Sequence, residues 1–186
     1  MAKKAQSTLV NMLLSLTVIA IVAAAVLALV SAVTKEPIAA AEAAKKEAAI
    51  KKVLPQFATL EEKTIDGINC NYGYDANNEL VGVAVESSSE KGFGGRLGVM
   101  VGFDAAGQVY GYEVLQTNET PGLGAKAADW FQKDGKGCII GKNPGETKLS
   151  VKKDGGEVDA ISGSTITSRA FCEAVNNAYE TFEKGK

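Results

Sequence analysis

The sequence predicts an α+β chain: an N-terminal transmembrane helix and a juxtamembrane helix, then a domain with a mainly antiparallel sheet and packed helices. Three observations predict it. No charged residue occurs between Ala5 and Thr34. Short runs rich in β-branched residues then alternate with glycine and Asx turns. Near the C-terminus, Phe171, Val175, Ala178 and Phe182 recur at helical spacing, as a core-facing stripe does. Hairpins followed by helices, without an alternating strand–helix–strand pattern, argue against a parallel sheet.

The apolar stretch runs from Leu9 to Val33. At a rise of 1.5 Å per residue it reaches roughly 38 Å, enough to cross a hydrocarbon layer of about 30 Å with some tilt. Val30-Ser31-Ala32 also offers a small-residue cleavage site, so a signal peptide competes with an anchor. A signal's apolar region is usually about 7–15 residues, and the greater length here favours an uncleaved anchor. Lys3 and Lys4 precede the span, whereas Lys35, Lys45, Lys46, Lys51 and Lys52 come after it, partly offset by Glu36, Glu42 and Glu47. A lysine count therefore does not place the N-terminus inside. A short tail ahead of a long C-terminal domain suits export of that domain. From Pro37 to about Leu54 the chain is rich in Ala, Glu and Lys, all strong helix formers. Pro37 is expected in the first turn of that helix and Pro55 at its end, with Ile38, Ile50, Val53 and Leu54 as a modest apolar stripe. The expected segments are a tail and anchor over 1–34, a linker helix over 35–56 and a domain over 57–186.

A net charge of −2 and the lack of a basic stripe give no footprint for nucleic acid. With no histidine, Ser-His-Asp and Cys-His catalysis are excluded, along with most zinc sites. Cys70, Cys138 and Cys172 are scattered and fit neither a metal pattern nor a disulfide framework. Free or buried thiols compete with a single pair, which would need an oxidising compartment.

Strands are expected over Ile68–Tyr74 and Leu80–Val85, then a polar loop from Glu86 to Lys91. Leu97–Phe103 and Gln108–Leu115 flank Asp104-Ala105-Ala106-Gly107 as a hairpin, with the glycine placed for a positive φ. Thr147–Lys152 and Val158–Ile161, around Asp154-Gly155-Gly156, read as a second hairpin. Helices are expected over Ala125–Gln132 and Thr167–Lys184.

Gly92-Phe93-Gly94-Gly95-Arg96-Leu97-Gly98 superficially matches a dinucleotide fingerprint. Its context is wrong, because a polar segment precedes it and a strand comes after. A sheet-edge turn and a cofactor-side loop remain as readings. Asn118-Glu119-Thr120-Pro121-Gly122-Leu123-Gly124 contains a turn in Thr120-Pro121-Gly122. Leu123 between glycines suits pressure on a flat aromatic ligand. Ser162-Gly163-Ser164-Thr165, entering a helix, reads first as an N-cap. The same geometry also attracts a phosphate, through free N–H groups and the positive helix end.

Asp159-Ala160-Ile161-Ser162-Gly163-Ser164-Thr165 resembles the Asp-x-x-Ser/Thr-Gly-Ala-Thr flavinylation pattern of FMN-binding domains. Together with the glycine segment 92–103, Glu119–Gly124, Thr167-Ser168 and the single anchor, it makes nearly the whole chain similar to the G-subunit family of Rnf electron-transport complexes. The C subunit of the sodium-translocating NADH:quinone oxidoreductase is a second, usually longer relative.

The resemblance implies that the Thr165 hydroxyl carries FMN covalently through its phosphate. A separate, magnesium-dependent transferase using FAD would make that bond, with Asp159 in the segment it recognises. Glu119, Thr120, Pro121, Gly122, Leu123 and Gly124 would line the isoalloxazine, and Ser162, Gly163 and Ser164 would lie near the phosphate. The chain would be a one-electron relay with no catalytic acid or base and no metal. It would sit as a single-pass protein in the cytoplasmic membrane with its domain outside, among the complex's other subunits and membrane lipid. The competing readings are a non-redox tethered binding module and a structural subunit in which Ser162–Thr165 only caps a helix. Two positions depart from the family pattern: Ser164 replaces the usual alanine, and Thr117 or Asn118 stands where a histidine often precedes Glu119.

Overall fold

The structure is a computed structural model that describes residues 8–186. Lys3 and Lys4, which bear on the charge balance across the span, lie outside the described residues. The chain divides into two compact units, with the boundary between Ala44 and Lys45.

Helix α1 spans Leu9–Val53. Among the described residues it is the one helix long and apolar enough to cross a membrane. Several hydroxyls in its apolar part turn back onto the helix: Ser15 Oγ donates to the Met12 carbonyl at 2.9 Å, Thr17 Oγ1 to Leu13 at 2.9 Å and Thr34 Oγ1 to Val30 at 2.8 Å. Such bonds remove the need for an outside partner in an apolar medium. The expected helix start at Pro37 is not found, because α1 runs through Pro37 without a break. Proline removes one backbone donor, and the good helix formers after it carry the helix on.

In the Lys45–Lys186 unit five strands form an antiparallel meander in the order β1-β2-β3-β4-β5. They are β1 Thr59–Ile65, β2 Ile68–Tyr74, β3 Leu80–Gly92, β4 Gly95–Asp104 and β5 Val109–Gln116. Strand β1 is not among the expected ones. Its sequence, TLEEKTI, is exposed almost throughout and carries charges at the sheet edge, where they discourage pairing with other chains. Asp66 and Gly67, at φ 51° and 80°, make the tight turn into β2. The expected loop from Glu86 to Lys91 is instead the continuation of β3. Ser89 is satisfied there, its Oγ donating to Glu173 Oε2 at 2.7 Å. The hairpin between β4 and β5 forms as expected, with Gly107 at φ 86°.

Strands β3 and β4 are buried on both faces. On one face, Val83, Val85, Leu97, Val99, Val101 and Phe103 join a core with α3, Thr165–Lys184. The predicted stripe Phe171, Val175, Ala178 and Phe182 is the buried face of α3. Phe182 stacks on Phe103 at 5.1 Å between ring centroids, and Phe171 stacks on Phe131 at 4.1 Å. On the other face, Ala49, Ile50, Val53 and Leu54 cover Ala84 and Met100. Paired glycines let that helix end settle onto the strands. Gly73 faces Gly82, Gly102 faces Gly111, and a Cβ on Gly102 would lie 1.8 Å from the Val53 carbonyl oxygen.

The second expected hairpin is corrected: residues 147–161 meet only through a parallel bridge between Val151 and Val158. A 3-10 turn, Lys152–Asp154, separates them. Asn176 on α3 explains why no ladder forms. Its side-chain oxygen accepts from the Leu149 N–H at 3.0 Å and its amide donates to the Leu149 carbonyl at 2.9 Å. Both backbone groups that Leu149 would offer to a ladder are therefore taken. The expected helix over Ala125–Gln132 is shorter, a 3-10 turn Gly124–Lys126 leading into α2, Ala127–Trp130.

Candidate functional site

The hydroxyl stretch is a loop fixed at both ends. The Asp159 carbonyl accepts from Trp130 Nε1 at 2.8 Å, while the Asp159 carboxylate pairs with Lys152 at 2.8 Å. A turn comes next, closed by the Ser164 N–H on the Ile161 carbonyl at 2.9 Å, with Gly163 at φ 76°. Ser168, one turn into α3, clamps this loop. Its hydroxyl accepts from the Ile161 N–H at 2.9 Å and donates to the Ser164 carbonyl at 3.0 Å. The expected N-cap is corrected: Ser164 occupies the cap position but makes no side-chain capping bond. The first-turn N–H groups of Thr165, Ile166 and Thr167 thus have no intrahelical acceptor, and the positive end of α3 remains open to an anion.

The Glu119–Gly124 loop uses a matching turn. The Leu123 N–H donates to the Thr120 carbonyl at 3.1 Å, and Gly122 has φ 77°. A third glycine turn, Gly92–Gly95, joins β3 to β4 and meets this loop: the Gly94 N–H donates to Glu119 Oε1 at 3.2 Å. Of the two readings of the glycine stretch, the turn is correct, and that turn also borders the site. A Cβ on Gly94 would lie 2.2 Å from the Asn118 carbonyl oxygen. Glu119 is 8% exposed, a buried carboxylate between these two turns.

The loops enclose a cleft of about 360 Å³ lined by Phe93, Glu119, Thr120, Leu123, Gly124, Lys153 and residues 163–167. That volume lies in the range of small-molecule sites. Its apolar walls are Phe93, Leu123 and Ile166, exposed by 71%, 45% and 49%. Leu123 reaches the turn opposite, its Cδ2 lying 3.6 Å from where a Cβ on Gly163 would stand. Thr165 is half-buried at the helix start. Thr167 Oγ1 is the one buried side-chain polar atom without a partner among the described residues. It borders the cleft close to Gly124, where a Cβ would lie 2.8 Å from it and 2.4 Å from Glu119 Oε2.

These features fit a flavin phosphate: open helix amides, an orphaned hydroxyl, a glycine floor and exposed apolar walls for a flat ring. Of the sequence-predicted residues, Glu119, Thr120, Leu123, Gly124, Gly163, Ser164 and Thr165 come together here. Pro121, Gly122, Ser162 and Asp159 do not line the cleft; they shape its loops or stand outside it. Phe93, Lys153, Ile166 and Thr167 were missed as individual site residues. Lys153 Nζ donates to Thr165 Oγ1 at 3.2 Å.

A larger cleft, about 510 Å³, runs beside α3 and shares Ile166 with the first. Its charged groups are already matched. Arg169 pairs with Asp154 through two bonds of 2.6 and 2.7 Å, and Lys91 pairs with Glu173 at 2.5 Å. The hydrogen bond from Arg169 holds the Asp154 carboxyl below its usual range, and those from Lys91 and Ser89 do the same for Glu173. Burial pushes the Cys172 thiol, at the base of this cleft, up to about 12. All three cysteines are free.

The FMN-binding domain family matches residues 92–180, a span holding all three turns and Thr165. The G subunit of the Na(+)-translocating ferredoxin:NAD(+) oxidoreductase complex of Acetobacterium woodii is 32% identical, over 91% of this chain and 89% of its own. The G subunit of the ion-translocating oxidoreductase complex of Methanosarcina acetivorans is also 32% identical, over 91% and 92%. The solved structure of Shewanella oneidensis NqrC is more distant, at 22% identity and a TM-score of 0.44 over 67% of this chain and 68% of its own. On its near full-length likeness to the first two relatives, this chain belongs to the G-subunit family of ion-translocating oxidoreductase complexes.

Proposed function

We propose that this chain is a membrane-anchored flavoprotein subunit that relays electrons through FMN joined covalently to Thr165, within an ion-translocating ferredoxin:NAD oxidoreductase (Rnf) complex. One observation carries the reading: a half-buried threonine hydroxyl stands at an uncapped helix start, in a cleft with three exposed apolar side chains. Membership of the G-subunit family and the FMN-binding domain match agree with it.

In maturation, Thr165 Oγ1 displaces AMP from FAD. The Oγ–P bond forms, the P–O–P linkage breaks, and the hydroxyl proton passes to solvent. A magnesium-dependent flavin transferase catalyses this step, with Asp159 in the segment it reads. The open amides at the start of α3 would then stabilise the one remaining phosphodiester charge. Bound FMN supplies reversible one-electron chemistry, and the chain supplies position and environment. Phe93, Leu123 and Ile166 line the cleft and would shield a flavin ring from water, and Glu119 holds the Gly92–Gly95 turn against the ligand loop. No residue is needed as a catalytic acid or base. The covalent link keeps the ring at high local concentration beside its redox partners, where free FMN would diffuse away. Leu9–Val33 anchors the chain in the cytoplasmic membrane among lipid and the complex's other subunits, with the domain on the outer face.

The test is a denaturing gel of protein produced with the transferase. Flavin fluorescence should persist through SDS in the natural chain and vanish completely in Thr165→Val. A colourless natural protein under those conditions contradicts the proposal, as does equal fluorescence in the variant.

A further inference from the structure

Lys153 sits in the Lys152–Asp154 turn, twelve residues before Thr165. Its two neighbours are each neutralised. Lys152 pairs with Asp159 at 2.8 Å, and Asp154 is held by Arg169 at 2.6 Å. Lys153 has no carboxylate within 4.0 Å among the described residues. Its one hydrogen bond goes to Thr165 Oγ1 at 3.2 Å. Lys153 is exposed on this turn, and its side chain lines the cleft beside Thr165.

We propose that Lys153 is the cation that holds the phosphoryl group at Thr165, both while the bond forms and afterwards. This rests on the proposed attachment of FMN at Thr165. An ammonium beside a phosphodiester gives a charge-assisted bond stronger than a neutral one. Lys153 reaches Thr165 at the helix start that carries the open amides of Thr165, Ile166 and Thr167, so a phosphate held there would have donors from both the helix and the turn. The buried Thr167 hydroxyl, without a partner in the chain, adds another donor at the same helix start. The arrangement also separates the candidate hydroxyls. Ser162 lies outside the cleft, the Ser168 hydroxyl is engaged in the loop clamp, and Ser164 lines the cleft while the hydrogen bond from Lys153 goes to Thr165. Thr165 is the hydroxyl the cation marks.

The experiment compares the full-length natural chain, Lys153→Gln and Lys153→Arg, each incubated with transferase, FAD and magnesium. Intact mass follows the attachment rate, and 31P NMR examines the loaded products. Lys153→Gln should load about 10-fold more slowly, Lys153→Arg within about threefold of the natural rate, and the 31P resonance should move in Lys153→Gln. Unloaded Lys153→Gln should unfold with the natural midpoint. A natural rate together with an unmoved 31P resonance in Lys153→Gln overturns the proposal. So does a slow rate with an unmoved resonance, which would place Lys153 in transferase recognition alone. If the natural chain loads at another residue or never gains FMN, the attachment reading fails as well. If it loads at Thr165 and Lys153→Gln behaves like it, only the role of Lys153 fails.

Discussion

Two clefts lie along α3, and the larger is the less convincing ligand site. The cleft of about 510 Å³ has its charges matched, Arg169 with Asp154, Lys91 with Glu173 and Lys148 with Glu180 beside it. The cleft of about 360 Å³ holds a lysine without a carboxylate partner, a buried hydroxyl without a partner and an uncapped helix start. Volume alone would favour the larger cleft. Unspent hydrogen-bonding capacity separates the two, because buried polar groups left unpaired in a native fold call for an explanation.

The strongest way to break this comparison is to fill the smaller cleft from its floor. In Gly124→Ala the new Cβ meets Glu119 Oε2 at 2.4 Å and Thr167 Oγ1 at 2.8 Å. The unloaded domain should lose about 1–3 kcal/mol, the usual cost of overpacking, read as a lower urea midpoint. Loading with FMN should fall sharply at the same time.

Thr167→Val sharpens the contrast with a change of sign. A buried hydroxyl without a partner costs about 1–3 kcal/mol, so the unloaded variant should be more stable than the natural chain by up to about 1 kcal/mol. The loaded variant should lose that advantage, because the phosphate no longer receives the hydroxyl. Chemical denaturation before and after loading measures both. A variant less stable in the unloaded form would mean that Thr167 already has a partner.

The smallest effect belongs to the larger cleft. Arg169 holds the Asp154 carboxyl below its usual range. A depressed carboxylate adds stability above its unfolded pKa and loses it as pH falls through the folded value. Unfolding midpoints should therefore drop below about pH 4, and Asp154→Asn should flatten that limb slightly, since the pair is exposed and solvent-screened. FMN loading at neutral pH should be unaffected. A loss of loading in Asp154→Asn would show that the two clefts act together, through the turn that carries Lys153.

Much of the fold was legible in the sequence, for physical reasons that differ by element. Strand β2 announces itself by loose alternation before the Asp75–Asn78 turn, the start of β3 by its β-branched run, and β4 and β5 by the Asp104–Gly107 turn between them. Helix α3 does so because its stripe faces a sheet. Strand β1 is hidden by its charges, and only Asp66-Gly67 marked its hairpin. Ser87-Ser88-Ser89 looked like a loop because the partner that satisfies Ser89, Glu173, lies on α3, far along the chain. Residues 147–161 looked like a hairpin because nothing local shows that Asn176 occupies the Leu149 backbone. At the site, the motif residues could be read directly. The convergence of three glycine turns, and the reach of Lys153 to Thr165, depend on tertiary placement that spacing does not contain.

The central claim is that Thr165 carries the flavin. Intact-mass analysis of the native membrane-extracted protein, with peptide mapping, tests it most directly. We expect a mass increased by one FMN residue, with the increment on the peptide containing Thr165. A mass equal to the bare polypeptide, from a host that contains the transferase, would contradict the claim, as would an increment mapped to Ser162 or Ser164.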